Sequence, residues 1–153
     1  MLKSPARFSH QFFEGFQALF KGFVAAFCYR IQLFGLENLP AGGALLVSNH
    51  VSFIDPLILF AGFQRTVRIL LPDRVFKNPF LRPFLYLMRV IPGPSDPKGI
   101  GRALRRARQT IRKGQLVLIF AEGELTRTGH ILPFTRGFEF ILKREQFPIV
   151  PLH

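Results

Sequence analysis

Apolar residues recur at intervals of three and four through the first part of the chain. The stripe consists of Phe8, Phe12, Phe16, Phe20, Phe23, Phe27, Ile31 and Phe34. This spacing predicts an amphipathic helix. Gly15 and Gly22 weaken the pattern, so one long helix and two helices with a bend near Gly22 are both consistent with it. The aromatic face could lie in a membrane interface or pack on the domain's own core, and the abundance of Phe favours the membrane.

Short apolar runs and helical patterns then alternate to the end of the chain. Strands are predicted at residues 44–47, 67–71, 90–94, 115–121 and 147–152, and helices after Pro56, in part of 76–89, at 99–113 and at 136–144. Gly114 is expected to end the third of these helices. The run at 115–121 is continuously apolar, as in a parallel sheet covered on both faces.

This alternation predicts an α/β fold, with a central mostly parallel sheet flanked by helices and preceded by the N-terminal amphipathic helical element. Residues 1–35 are expected to form a membrane-associating element. Residues 36–153 are expected to form the α/β domain, which stops just inside a predicted strand and could be incomplete at its C-terminal end.

A histidine and an aspartate lie where the chain leaves the first predicted strand. His50 follows Ser48 and Asn49, and Asp55 stands directly before Pro56. Asp55 is predicted as the N-cap of a helix whose first residue is Pro56. Because His50 then lies in the turn, the carboxylate can fold back towards the imidazole. A histidine paired with a carboxylate in this way is suited to act as a general base.

A second polar loop follows the strand predicted at 115–121. Its residues are Glu122, Gly123, Glu124, Leu125, Thr126, Arg127, Thr128 and Gly129. Both loops follow buried strands, so they are expected to meet at the sheet edge where α/β proteins bind ligands. Arg127 with the hydroxyls of Thr126 and Thr128 could hold a phosphate. Since no Ser or Cys nucleophile elbow is evident, direct attack by a substrate alcohol is the simpler chemistry.

The two loops together carry a resemblance to a known family. Residues 49–55 match the NHxxxxD motif of the glycerolipid acyltransferases, the family that contains 1-acylglycerol-3-phosphate acyltransferase, and residues 120–123 resemble its FPEG block. Residues 147–151 are similar to its terminal apolar block. The chain departs from the family pattern in three places. Ala121 replaces a Pro, the usual Arg is missing near Pro94, and the loop after Gly123 is closer to bacterial 2-acylglycerophosphoethanolamine acyltransferases.

The resemblance implies an acyl transfer with no bound cofactor or metal. The acceptor would be the free glycerol hydroxyl of lysophosphatidate or another lysophospholipid, and acyl-CoA or acyl-carrier protein would be the co-substrate. The catalytic residues would be His50 as the base and Asp55 as its support. The substrate-binding residues would be Asn49, Glu122, Gly123, Thr126, Arg127 and Thr128.

Charge and composition narrow the choice of partner. The chain has 21 Lys and Arg against 9 Asp and Glu, a formal net charge of +12, which suits nucleic acid, an anionic membrane or a phosphorylated substrate. With 48% hydrophobic residues and 19 Phe, lipid is favoured over nucleic acid. Lys21 and Arg30 interrupt the most apolar segment. We therefore expect an anionic membrane surface as partner, with the protein peripheral or monotopic at the cytoplasmic face and not spanning. Acyl-carrier protein is a further candidate partner.

One alternative to an enzyme remains open. The missing Arg block is also consistent with a degenerate acyltransferase that serves as a non-catalytic, basic membrane- or lipid-binding module. Such a module would not need the pairing of His50 with Asp55, so substitution of His50 would leave its ligand binding unchanged.

Overall fold

The computed structural model describes residues 10–27, 30–93, 97–123 and 146–153. Its α-helices are α1 (His10–Phe27), α2 (Asp55–Gly62), α3 (Leu81–Leu87) and α4 (Pro97–Arg112). Its strands are β1 (Ala44–Ser48), β2 (Val67–Pro72), β3 (Ile91–Gly93), β4 (Leu116–Phe120) and β5 (Ile149–Leu152). Short 3₁₀ helices occupy Leu36–Asn38 and Asp73–Lys77.

The five described strands form a single sheet in the order β3-β2-β4-β1-β5, and every neighbouring pair is parallel. Strands β1 and β4 lie inside the sheet and are almost wholly buried. Their continuous apolar sequences are explained by helices covering both faces. The predicted α/β fold is therefore confirmed. Because the strands are parallel, their carboxyl ends share one edge of the sheet, called the C-terminal edge below.

Each face of the sheet has its own hydrophobic core. One core contains Phe60 of α2 and Leu85 of α3, with Phe16 of α1 packed against it. The other contains Ala107 and Ile111 of α4. Three described helices thus cover one face and α4 covers the other, which leaves the C-terminal edge to the loops that follow the strands.

Most elements agree with the periodicity of the sequence to within one or two residues. Helix α4 ends where predicted, with Gly114 in the left-handed region at φ 77°. The N-cap of α2 is a correction. The helix begins at Asp55 with Ile54 as its N-cap residue, and no side chain caps it, because the Asp55 carboxylate turns back to the preceding loop. The helix predicted at residues 136–144 lies outside the described residues.

The N-terminal helix also differs from its prediction. Helix α1 runs unbroken through Gly22 and ends at Phe27, and residues 30–35 are not helical, so the stripe does not extend as a helix to Phe34. Its aromatic residues do not all face outward. The Phe20 ring lies 5.8 Å from that of Phe60 and 5.4 Å from that of Phe84. Part of the stripe therefore belongs to the core of the α/β domain.

A buried polar side chain fixes α1 on its neighbour. Gln17, which lies off the apolar stripe of the helix, is buried, and its side-chain amide donates to the carbonyl oxygens of Phe60 (3.1 Å) and Phe63 (3.2 Å). These carbonyls lie at the end of α2, where the helix no longer satisfies them. The position of Gln17 on α1 therefore sets the register of the two helices.

Loops at the opposite edge of the sheet are held by one arginine and one close backbone contact. The Arg65 guanidinium donates to the carbonyl oxygens of Pro40, Ala41, Gly42 and Gly114. A Cβ atom on Gly43 would lie 1.9 Å from the carbonyl oxygen of Ile111, at the end of α4. Only glycine fits there, because the obstacle is backbone and cannot rotate away.

We expect Gly43→Ala to lower the free energy of unfolding by about 3 kcal/mol, since the added methyl group must push apart β1 and α4. Urea denaturation measures this loss. Gly42→Ala is the matched control, because a Cβ atom there meets nothing within 4 Å, and it should change stability by only about 0.5 kcal/mol. Equal stability of the two variants would contradict the close contact.

Candidate active site

Strands β1 and β4 end side by side, so the two polar loops that follow them lie next to each other. Ser48 and Phe120 are register partners at the ends of the two strands. The pairing continues one step further, where the Ala121 N–H donates to the Ser48 carbonyl at 3.0 Å. His50 and Glu122 each lie two residues beyond the end of their strand. They are therefore brought into contact although they are 72 positions apart in the sequence.

The Asp55 carboxylate organises the turn that carries His50. Its Oδ2 atom accepts hydrogen bonds from the backbone N–H groups of Val51 at 2.9 Å and Ser52 at 2.7 Å. The same oxygen lies 3.1 Å from Nδ1 of His50. The carboxylate thus folds back as the turn geometry predicts. The hydrogen bonds from these two backbone donors hold the carboxylate in place beside the imidazole.

This contact defines the tautomer of His50. A carboxylate oxygen only accepts hydrogen bonds, so Nδ1 carries the proton that points to Asp55, and Nε2 carries the lone pair. The side chains of His50 and Asp55 are 15% and 17% exposed. The pair is therefore largely shielded yet still reachable, as a base that takes a proton from a substrate must be.

An aromatic ring supports the imidazole from one side. The ring of Phe120, the last residue of β4, stacks on the ring of His50 with centroids 4.1 Å apart and an angle of 22° between the planes. Together with Asp55 this contact restricts rotation of the imidazole. From the sequence, Phe120 is predicted only as part of the buried strand and of the FPEG-like block, with no role beside His50. Its position at the end of the strand, two residues before Glu122, is the signal that could have indicated this contact.

Glu122 links the two loops. Its carboxylate accepts a hydrogen bond from the backbone N–H of His50 at 3.2 Å, and the residue is only 3% exposed. This contact positions the backbone of His50. The substrate-binding role that the family resemblance implies for Glu122 stays a prediction.

Substituting Glu122 separates these two roles. We expect Glu122→Gln to keep most of the activity, because the amide oxygen can still accept from the His50 N–H. Glu122→Ala leaves that partly buried donor unpaired, which costs about 1–2 kcal/mol of stability. It should lower kcat by about a hundredfold with little change in KM. Steady-state kinetics and thermal unfolding of both variants measure this. If Gln is as harmful as Ala and raises KM, the charge binds substrate instead.

The remaining predicted site residues fall into two groups. Asn49 is half-buried beside His50, and Gly123 adopts a left-handed φ of 70° that turns the chain after Glu122. Thr126, Arg127 and Thr128, which the sequence suggested as phosphate ligands, lie outside the described residues. The structure thus brings together His50, Asp55 and Glu122, with Asn49 and Gly123 adjacent in the chain.

Comparison with known proteins identifies the family. A sequence profile described as Acyltransferase matches residues 30–153, which include the whole cluster around His50. The chain belongs to the acyltransferase family. This confirms the resemblance to glycerolipid acyltransferases carried by the two loops.

Several relatives have a more specific name. The chloroplastic 1-acyl-sn-glycerol-3-phosphate acyltransferase BAT2 of Brassica napus is 30% identical over 127 residues, which cover 81% of this chain and 37% of the relative. The 1-acyl-sn-glycerol-3-phosphate acyltransferase of Pseudomonas aeruginosa is 28% identical, covering 80% of this chain and 48% of the relative. The chain therefore spans between about a third and a half of these relatives' length.

A solved structure shares the fold. The 1-acyl-sn-glycerophosphate (LPA) acyltransferase PlsC of Thermotoga maritima aligns with a TM-score of 0.65 and 20% sequence identity, covering 92% of this chain and 55% of the other. At this identity the likeness extends to the architecture, which agrees with the parallel sheet and its flanking helices.

Proposed function

We propose that the protein transfers a fatty acyl group from acyl-CoA or acyl-carrier protein to the free glycerol hydroxyl of lysophosphatidate. The observation that carries the proposal is the contact of 3.1 Å between Nδ1 of His50 and Oδ2 of Asp55 at the C-terminal edge of the sheet. It leaves the basic Nε2 atom for a substrate hydroxyl.

In the proposed reaction the acyl group passes directly from the thioester to the acceptor hydroxyl. As the hydroxyl oxygen attacks the thioester carbonyl carbon, its proton passes to Nε2 of His50. Asp55 stabilises the resulting imidazolium through Nδ1. The carbon–sulfur bond then breaks, and the departing sulfur takes the proton from Nε2, so the products are an ester and a free thiol. No covalent intermediate with the protein is needed.

The choice of lysophosphatidate rests on the relatives and on charge. The named relatives are 1-acyl-sn-glycerol-3-phosphate acyltransferases, and the chain's net charge of +12 favours a phosphate-bearing acceptor. Within this proposal, Arg127 with Thr126 and Thr128 binds the phosphate, and Asn49, Glu122 and Gly123 contact the glycerol. Another lysophospholipid headgroup is the main competitor, because the loop after Gly123 departs from the family pattern.

We further propose that the reaction takes place at a membrane surface, on its cytoplasmic face. The outward stripe of α1 supports this, since Phe12, Leu19 and Phe23 are 50%, 75% and 55% exposed. Gly15, Ala18 and Gly22 beside the stripe are also exposed and uncharged. Such a face suits the boundary between headgroups and acyl chains. No helix in the described ranges has the length and apolarity required to cross a bilayer.

A panel of donors and acceptors tests the proposed substrate. Purified protein is incubated with acyl-CoA or acylated carrier protein and with lysophosphatidate, lysophosphatidylethanolamine or glycerol 3-phosphate. Products are identified by mass spectrometry. Phosphatidate is expected as the main product. A faster reaction with lysophosphatidylethanolamine would overturn the choice of acceptor but keep the acyl transfer, whereas no ester product with any pair would overturn the function.

A further inference from the structure

A short exposed segment with apolar side chains lies where the chain enters α3. It consists of residues 78–82 and is called the tip below. Residues 77–83 are all exposed, and Phe80 is 88% and Leu81 45% exposed. Two consecutive large apolar residues with this exposure mark a candidate contact surface.

The backbone of the tip has its donors satisfied from within. Asn78 Oδ1 accepts hydrogen bonds from the N–H groups of Phe80 at 3.0 Å and Leu81 at 3.3 Å. The Arg82 N–H donates to the Asn78 carbonyl at 3.0 Å, and Pro79 has no N–H group. The tip can therefore leave water without leaving these backbone donors unpaired, which removes part of the cost of placing non-helical chain among lipids.

Exposed cations lie within the tip and just before it in the chain. Arg74, Lys77 and Arg82 are exposed, and the Arg82 guanidinium lies 5.6 Å from the centre of the Tyr86 ring. The sequence contains no Asp or Glu between Arg74 and Arg89. Exposed apolar residues flanked by cations complement the apolar interior and the anionic headgroups of a phospholipid surface.

The tip lies on the side of the molecule where His50 is found. Strand β2 ends at the C-terminal edge, and the 3₁₀ helix Asp73–Lys77 leads from it directly to the tip. The turn that carries His50 leaves the same edge and exposes further apolar side chains, Val51 at 54% and Phe53 at 82%. A membrane that meets the tip would therefore also meet the entrance to the site.

We propose that the tip is a second membrane contact, separate from α1. Phe80 and Leu81 enter the interface of an anionic phospholipid bilayer, and Arg74, Lys77 and Arg82 pair with its headgroup phosphates. This contact turns the C-terminal edge towards the lipid from which a lysophospholipid acceptor would be taken. It deepens the proposed function, but lipid contact is measured without acyl transfer, so each can fail without the other.

A fluorescent reporter tests the contact. The chain contains no Trp, so Phe80→Trp introduces a single one. The matched control is Ile149→Trp, because Ile149 is 48% exposed and begins β5, at the edge of the sheet opposite to the tip. With vesicles of phosphatidylglycerol and phosphatidylcholine, the Phe80→Trp emission should shift to the blue and be quenched by brominated acyl chains. The Ile149→Trp emission should not change.

Three results would overturn the proposal. The first is unchanged Phe80→Trp emission with protein that co-sediments with vesicles. The second is an equal shift in both variants. The third is a shift without vesicles, caused either by raising the protein concentration or by adding an acidic carrier protein, which would assign the tip to a protein partner.

Charge removal provides an independent measurement. Arg74→Gln combined with Lys77→Gln should weaken binding to the anionic vesicles by about fivefold for each cation and leave binding to pure phosphatidylcholine unchanged. The control pair is Arg105→Gln with Lys113→Gln, which removes the same charges from exposed positions on and just after α4 and should have a much smaller effect. Equal losses for the two pairs would show only a general attraction of charge and contradict a specific contact at the tip.

Discussion

His50→Ala is expected to lower kcat for acyl transfer by about a thousandfold, within the range that a positioned general base contributes. The reason is that the proposed base is the lone pair on Nε2, which alanine removes. Asp55 and Glu122 hold the backbone around His50, with Asp55 Oδ2 accepting from the N–H groups of Val51 and Ser52 and Glu122 Oε1 from the backbone N–H of residue 50. The measurement is the rate of free-thiol release with a saturating thioester and acceptor.

The control for this variant must separate chemistry from folding. His153→Ala removes an exposed histidine at the end of the chain and should retain full activity. The His50→Ala protein should unfold at nearly the same temperature as the unsubstituted protein and bind vesicles equally well. If His50→Ala kept more than half of the thiol release, His50 would not be the base, although the release itself would still contradict a non-catalytic binding module.

Asp55 substitutions are expected to have the second-largest effect, and two variants separate its two tasks. Asp55→Ala removes both the partner of the imidazole and the acceptor for the N–H groups of Val51 and Ser52. Asp55→Asn keeps an oxygen for the backbone groups but places an amide donor near Nδ1, which favours the wrong tautomer. We expect both variants to lower kcat by about 10²- to 10³-fold.

Stability should distinguish the two Asp55 variants. Asp55→Ala should lower the free energy of unfolding by about 1–2 kcal/mol, because the N–H groups of Val51 and Ser52 lose their acceptor, whereas Asp55→Asn should cost little. Urea denaturation measures this, with the exposed Glu37→Gln as the control for charge removal. An active Asp55→Asn protein would mean that the carboxylate only builds the turn and does not support His50.

Much of the architecture could be read from periodicity. Buried strands such as β4 are uniformly apolar and bounded by Gly114 and a polar loop, so their limits follow from local sequence. The meeting of His50 with the loop at Glu122 could also be expected, because parallel strands share an edge. Nothing local determined that β1 and β4 are direct neighbours, since that depends on the crossover of α2 to β2.

Other features depend on packing that the sequence pattern does not encode. An apolar stripe on α1 shows that Phe16 and Phe20 avoid water, but not whether protein or lipid covers them. In the structure these two rings pack near Phe60 and Phe84, while the face that contains Phe12 stays exposed. The stack of Phe120 on His50 and the hydrogen bond from the His50 backbone to Glu122 are likewise tertiary contacts.

The activity proposed for the cluster around His50 is the transfer of an acyl group to an alcohol. The most direct measurement is thiol release from acyl-CoA and from acylated carrier protein by the unsubstituted protein, with and without lysophosphatidate in phospholipid vesicles. We predict release with at least one donor, dependent on the acceptor and matched by an equal amount of phosphatidate. Thiol release that is equally fast without the acceptor, or no thiol release with either donor, would contradict the proposed acyl transfer.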